Sequence, residues 1–74
     1  MKLEKLSRKV ADSFGLGHQM ELGVLRHYIR TTSNIRLTTE IGNIKDAALL
    51  RILWEAGLSS ELQDVVLERL KKVS

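Results

Sequence analysis

The chain contains no cysteine, no proline and no long apolar run. Without cysteine, neither a disulfide nor a thiolate metal site reinforces the fold. No apolar run approaches the ~18 to 20 residues of a membrane-spanning helix, and the charged start MKLEKLSRKV lacks the apolar region of a signal peptide. We therefore expect a cytoplasmic protein with no membrane partner. The missing cysteine and proline, with few amides and 28% charged residues, are typical of a thermophile's composition.

The apolar content suffices for a single small folded domain over residues 1–74. The chain is 43% hydrophobic, which is ample for a globular domain rather than a disordered tail. At this length, one core supplies only about 3 to 5 kcal/mol of stability. We therefore expect either very regular helix packing or self-association, and we predict a homodimer.

Apolar spacing in the first half predicts a helical hairpin over about residues 2–31. The first helix should bury one apolar face; its residues are Leu3, Leu6, Val10 and Phe14. The segment GLG at 15–17 should end this helix, because glycine adopts the left-handed conformation without steric cost. A second helix is predicted from about residue 18 to 31. The apolar residues expected to face inward are Met20, Val24, Leu25, Tyr28 and Ile29.

A second helical hairpin is predicted over about residues 44–73. Asn43 is the expected N-cap of its first helix, and Asp46 is the expected first-turn acid. The body of that helix, AALLRILWEA, is apolar on nearly every side, which indicates a central helix with Trp54 in the core. Gly57 should end it before a fourth helix begins. The sequence therefore predicts an all-α fold, a small four-helix domain built from two αα-hairpins.

Between the hairpins, the segment NIRLTTEIG at about residues 34–42 has the two-residue alternation of a β-strand. An isolated strand cannot satisfy its own backbone hydrogen bonds, so a short strand here would need a second copy from a dimer partner. In a monomer, residues 32–43 would instead form an extended linker, with Ile35, Leu37 and Ile41 packed on the helices. We favour the linker and keep the strand as the alternative.

The strand alternative resembles the ribbon-helix-helix repressors. RLTTEI followed by NIKDAALLRILWEAGLSS is similar to that family's order of strand, helix, glycine turn and helix over residues 35–72. The resemblance implies a dimer whose paired strands enter the DNA major groove, with Arg36, Thr38 and Glu40 facing the bases. Asp64 departs from the family's pattern, which tends to have an aliphatic residue there, and we do not assign the chain to the family.

The sequence shows no constellation of residues for catalysis or cofactor binding. The segment GLG follows a predicted helix rather than a strand, and the lysine of a phosphate-binding loop is missing. His18 and His27 have no carboxylate-rich set of partners that would complete a metal site. Without cysteine, no pair of nucleophile and base is visible. We expect no enzymatic activity, no cofactor and no bound metal.

Positive charge is concentrated in the front half of the chain. Residues 1–36 contain seven Lys or Arg and three acids, whereas residues 37–74 contain five and six. If the first hairpin packs its cations side by side, they form one basic surface for a phosphate backbone. The candidate nucleic-acid-binding residues are Lys5, Arg8, Lys9, Arg26, Arg30 and Arg36. The alternative is that these charges only solvate the outer helix faces.

Two leucines are candidate interface residues. Leu22 lies near the edge of the apolar face of the second helix, and Leu67 lies on the outer face of the last helix, which indicates more apolar surface than a monomer must bury. As function, we expect a nucleic-acid-associated accessory or regulatory protein that binds phosphate backbone of DNA or RNA. The alternative function is a non-enzymatic protein–protein interaction or assembly module.

Overall fold

The computed structural model describes residues 2–73, which form five α-helices. The helices are α1 (Lys2–Asp12), α2 (Leu16–Thr31), α3 (Asn34–Gly42), α4 (Ala47–Ala56) and α5 (Ser60–Val73). No β-strand occurs within the described residues, so the all-α prediction is confirmed. The prediction of four helices is wrong, because a fifth helix, α3, occupies the segment between the two predicted hairpins.

The apolar face of α1 is buried as predicted, except at its last residue. Leu3, Leu6 and Val10 lie in the core. Phe14, predicted on the same face, is 87% exposed, and that prediction is wrong. The N–H and the Oγ of Ser13 both donate to the carbonyl of Val10, at 3.3 and 2.9 Å. These bonds end α1 before Phe14 can join its apolar face.

The buried face of α2 matches the predicted one in part. Leu25 is buried and Tyr28 and Ile29 pack against the core, as predicted, and Leu22 is buried as well, but Met20 is 71% exposed and Val24 is 46% exposed. The prediction that Met20 and Val24 face inward is therefore wrong. Two apolar stripes of this helix have helical spacing, and at about 100° per residue they lie on opposite sides. Packing selects the stripe through Leu22, Leu25 and Ile29.

Helix α3 replaces both the extended linker and the alternative strand that we predicted for NIRLTTEIG. At its N-terminus, the Oγ of Ser33 accepts a hydrogen bond from the N–H of Arg36 at 3.4 Å. At its C-terminus, the N–H of Asn43 donates to the carbonyl of Glu40 at 3.1 Å. Asn43 therefore ends α3, and the prediction that it begins the following helix is wrong.

The buried residues of α3 follow a helical period. Leu37, Glu40 and Ile41 are buried, and Ile44 continues the same face just beyond the helix. Ile35 is 84% exposed, so its predicted packing onto neighbouring helices is wrong. The strand prediction failed because a charged residue, Glu40, occupies a core position. Its polarity hides the spacing of three and four residues that marks a helix.

Helix α4 lies between its neighbours, as the predicted central helix should. Asp46 is its N-cap rather than a first-turn residue, because Oδ1 accepts from the N–H of Ala48 at 2.9 Å. The helix contacts α1, α2 and α5. Trp54 is 43% exposed, so its predicted place in the core is wrong. Gly57 follows the helix with a φ of 89°, where a side chain would be strained.

The helices share a hydrophobic core to which each of them contributes. α1 packs against α2, α3 and α4, and α5 packs against α3 and α4. The Nε of Arg69 donates to the carbonyl of Ile44 at 2.7 Å, which attaches the connection between α3 and α4 to α5. None of the helices in the described part of the chain is long and apolar enough to cross a lipid bilayer.

Candidate nucleic-acid interface

The carboxylate of Glu40 joins three helices. Glu40 is only 6% exposed. Its Oε1 accepts from the N–H of Leu3 at 3.4 Å, and its Oε2 accepts from the hydroxyl of Tyr28 at 2.7 Å. The negative charge therefore lies at the N-terminus of α1, where the helix dipole favours an anion. Through this carboxylate, α3 holds the first turn of α1 against α2.

One cation lies over the ring of Tyr28, and another lies beside the Glu40 carboxylate. The Nζ of Lys2 lies 5.4 Å from the centroid of the Tyr28 ring, within the range of a cation–π contact. The Nε of Arg36 lies 3.9 Å from Oε2 of Glu40, and the Arg36 side chain is 69% exposed. Burial, and next the hydrogen bond to Glu40, raise the pKa of Tyr28 above 10.0, so its hydroxyl stays protonated and donates. The cluster brings Lys2 and Arg36 to the same end of α1.

A row of lysines runs along α1 from this cluster. Lys2, Lys5 and Lys9 are three and four residues apart, so they lie on one side of the helix over about 10 Å. Lys5 and Lys9 are exposed and have no ion-pair partner among residues 2–73. We call these three residues the lysine row, and the lysine row together with Arg36 the basic edge.

The remaining predicted cations lie elsewhere. The Nη2 of Arg8 lies 3.6 Å from Oε1 of Glu4, in an exposed pair one turn apart on α1. The Nε of Arg26 donates to the carbonyl of Ala56 at 3.2 Å, which directs it to α4. Arg26 and Tyr28 are two residues apart and so point about 200° apart around α2. Arg26 and its exposed neighbour one turn on, Arg30, therefore lie on the flank of α2 opposite the lysine row.

The two predicted interface leucines differ in exposure. Leu22 is 2% exposed and belongs to the core of the single chain, whereas Leu67 is 46% exposed on α5. Sequence reasoning missed a larger apolar surface, because it placed Met20 and Val24 inward. These two residues occupy successive turns of α2 on its exposed side. We call them the outer face of α2, and the exposed Phe14 lies in the turn that precedes that helix.

A groove of about 340 Å³ lies between α3 and α5. Its walls carry two acids, Asp64 and Glu68, and two bases, Arg69 and Lys72. Because Arg69 already donates to a backbone carbonyl and the four charges offset one another, the groove does not extend the basic edge. Within residues 2–73, no three side chains of His, Cys, Asp or Glu come together as a metal site.

The structure therefore separates the predicted basic surface into two groups and a single residue, Arg8, which pairs with Glu4. Lys5, Lys9 and Arg36 share the basic edge, while Arg26 and Arg30 lie on the opposite flank of α2. The helical spacing of the lysines in the sequence indicated that they share one side of α1. Nothing in the sequence indicated that Arg36 lies beside them. Comparison of the chain with protein-family models, with curated proteins and with solved structures finds no match.

Proposed function

We propose that the protein is a non-enzymatic, cytoplasmic accessory or regulatory protein that associates with nucleic acid, and that it binds the phosphate backbone through the basic edge. The observation that carries this proposal is the cluster around Glu40. It holds Lys2 above Tyr28 and Arg36 beside the same carboxylate, so the lysine row continues across the helix boundary into α3.

The chemistry of the basic edge favours contacts to phosphate rather than to bases. Lysine ammonium groups are compact point charges on flexible stems, which suits the backbone of DNA or RNA more than the fixed pattern of a base edge. Each phosphate that is neutralised releases counterions, and log K falls by about 0.9 for each tenfold rise in salt. Four cations therefore predict a slope of about −3 to −4 and no strong preference for sequence.

Fluorescence anisotropy with a labelled duplex and a labelled single strand of equal length tests this proposal. The probes are titrated with protein at several salt concentrations between about 25 and 200 mM, and the slope of log K against log salt is measured. Lys5→Glu with Lys9→Glu should weaken binding at least about tenfold and lower the slope by about two. Arg51→Glu with Lys72→Glu is the matched control, because it changes the net charge equally at exposed residues of α4 and α5.

The control should keep the salt slope of the natural chain. Arg30→Glu tests the flank of α2 that lies opposite the lysine row. It should weaken binding less than Lys5→Glu, which removes a charge from the lysine row. If neither probe binds at low salt, or if both double variants weaken binding equally, the basic edge is not a nucleic-acid interface. If Lys5→Glu and Arg30→Glu weaken binding equally, binding is not confined to the basic edge, and this proposal is contradicted.

A second candidate function is a non-enzymatic protein–protein interaction or assembly module. It is favoured by the exposure of three apolar side chains around the start of α2, namely 87% for Phe14, 71% for Met20 and 46% for Val24. Exposed apolar surface of this kind marks interfaces more often than single scattered residues do. We propose a homodimer as its simplest form, and Leu67 is a separate candidate contact on α5.

A further inference from the structure

His18 lies where three helices meet. It belongs to the first turn of α2. Its Nδ1 lies 3.2 Å from the carbonyl of Val10, near the end of α1, and its Nε2 lies 3.1 Å from Oε1 of Glu55 on α4. The His18 side chain is 26% exposed and that of Glu55 is 48% exposed, so protons from solvent reach the pair.

Both partners of the His18 ring are acceptors. A carbonyl oxygen and an ionised carboxylate supply lone pairs and no proton. A neutral imidazole carries one N–H, so it can donate to only one of them and must turn a lone pair toward the other. The imidazolium form carries two N–H groups and satisfies both contacts. Only the protonated ring therefore satisfies both contacts of this geometry.

We propose that His18 is a proton-operated clamp that ties α4 to the corner between α1 and α2: the imidazolium donates to both Val10 and Glu55, whereas the neutral ring can donate to only one of them. This device is independent of the proposed nucleic-acid function, because none of its residues belongs to the basic edge. The hydrogen bond to Glu55 is the main cause that raises the pKa of His18 above 6.5, and it outweighs the opposing effect of desolvation.

The groups that face His18 are few. From α1 and the turn after it come the backbone carbonyls of Val10 and Ser13, and from α4 comes the Glu55 carboxylate. Two turns further along α2, Arg26 donates to the carbonyl of Ala56 at the end of α4. Because arginine does not lose its proton in proteins, this contact is the same at every working pH. Of these two polar contacts between α2 and α4, the contact of His18 depends on its protonation and the contact of Arg26 does not.

The direction of the pH effect follows from the raised pKa. When the folded pKa lies above the unfolded value, protonation favours the folded state. The contribution of the clamp is fully present below pH 6.5 and is lost as the pH rises through the raised pKa of His18. Higher pH should therefore loosen the contact between α4 and the α1–α2 corner.

Proton NMR titration of the two histidine rings tests the clamp. His27→Gln removes the signal of the exposed second histidine, so it assigns His18 and serves as the matched control. Glu55→Gln removes the charged acceptor. The His18 midpoint should fall in Glu55→Gln and stay unchanged in His27→Gln. A midpoint that is the same in Glu55→Gln and in the natural chain would overturn the proposal.

A double-mutant cycle adds a structural readout. Thermal unfolding of the natural chain, His18→Gln, Glu55→Gln and the double variant is measured at pH 6 and at pH 9. The two substitutions should be coupled, so that the Tm losses of the single variants do not add in the double variant, and this coupling should be larger at pH 6 than at pH 9. Equal coupling at both pH values would show a contact that does not respond to protons. If His18→Gln does not fold, the titration of Glu55→Gln decides alone.

Discussion

Glu40 connects three helices through its carboxylate, and hydrogen bonds from its partners offset the cost of burying that charge. A buried carboxylate is costly unless hydrogen bonds satisfy it. Here the N–H of Leu3 and the hydroxyl of Tyr28 donate to its two oxygens, and Arg36 lies at one edge. Among the described residues, no buried side-chain polar atom lacks a hydrogen-bond partner. The residue therefore sets the relative positions of α1, α2 and α3.

We predict that Glu40→Gln destabilises the protein by about 1 to 3 kcal/mol, because hydrogen bonds to a charged group contribute more than bonds to a neutral amide. The amide would also place its NH2 group against partners that donate, such as the N–H of Leu3 or the guanidinium of Arg36. Urea unfolding followed by circular dichroism measures the change. Glu68→Gln is the matched control, since Glu68 is exposed and its one ion pair among residues 2–73 is with Lys71 at 3.5 Å. Its effect should stay within about 0.5 kcal/mol. Equal losses in the two variants would contradict the structural role of Glu40.

The same residue explains what the sequence could not reveal. Leu37, Ile41 and Ile44 have helical spacing, but with Glu40 among them the pattern of NIRLTTEIG fits a strand better. The residues that donate hydrogen bonds to Glu40 lie 37 and 12 residues away along the chain, so no local sequence pattern predicts these contacts. Arg36 was foreseen as a cation, but its place beside the lysine row depends on this long-range contact. Local periodicity therefore predicts neither the contacts of Glu40 nor the position of Arg36.

At the scale of the elements, prediction was most successful where the sequence offers a single apolar stripe. In α1 the predicted stripe is Leu3, Leu6, Val10 and Phe14, and the structure buries the first three, whereas Phe14 lies beyond the end of the helix. In α2 two stripes compete, and the predicted face combined residues of both. The structure packs Leu25 and Ile29 in or against the core but exposes Met20 and Val24. The choice between equivalent stripes is made by the surfaces of the other helices, and those surfaces do not exist until the chain folds.

Two substitutions in α3 should change stability in opposite directions if residues 34–42 are helical. Thr38→Ala should stabilise by up to about 0.7 kcal/mol, because Thr38 is exposed and alanine has the higher helix propensity. Ser33→Ala should destabilise by about 1 kcal/mol, because it removes the N-cap hydroxyl. Urea unfolding of both variants measures the signs. In a strand, alanine is the poorer residue, so a destabilising Thr38→Ala would contradict the helix.

At the scale of the whole molecule, the surface divides into regions of different chemistry. The basic edge follows α1 and reaches α3, the outer face of α2 is apolar, and the groove between α3 and α5 carries both signs of charge. A chain of 74 residues has a small core whose stability is limited to a few kcal/mol. Covering exposed apolar surface by association would add to that stability, because burial of apolar area is favourable.

We predict that the protein self-associates through the outer face of α2. Sedimentation equilibrium of the natural chain should show a monomer–dimer equilibrium that depends on protein concentration. Met20→Ser with Val24→Ser should shift it toward monomer, because both side chains are exposed in the single chain and would be buried in the dimer. The same exposure means that the free energy of unfolding of the monomer should change by no more than about 0.5 kcal/mol.

Leu67→Ser is the matched control for this prediction, since Leu67 is as exposed as Val24, at 46%, but lies on a different helix, α5. A single exposed leucine needs no partner, so the variant should keep the dimer. If Leu67→Ser abolishes association while the α2 double variant retains it, the interface is on α5. A natural chain that stays monomeric at the highest concentration would remove the outer face of α2 as a dimer interface. The second candidate function would then no longer include a homodimer formed through α2. Binding of nucleic acid through the basic edge would be unaffected, because that edge lies on α1 and α3.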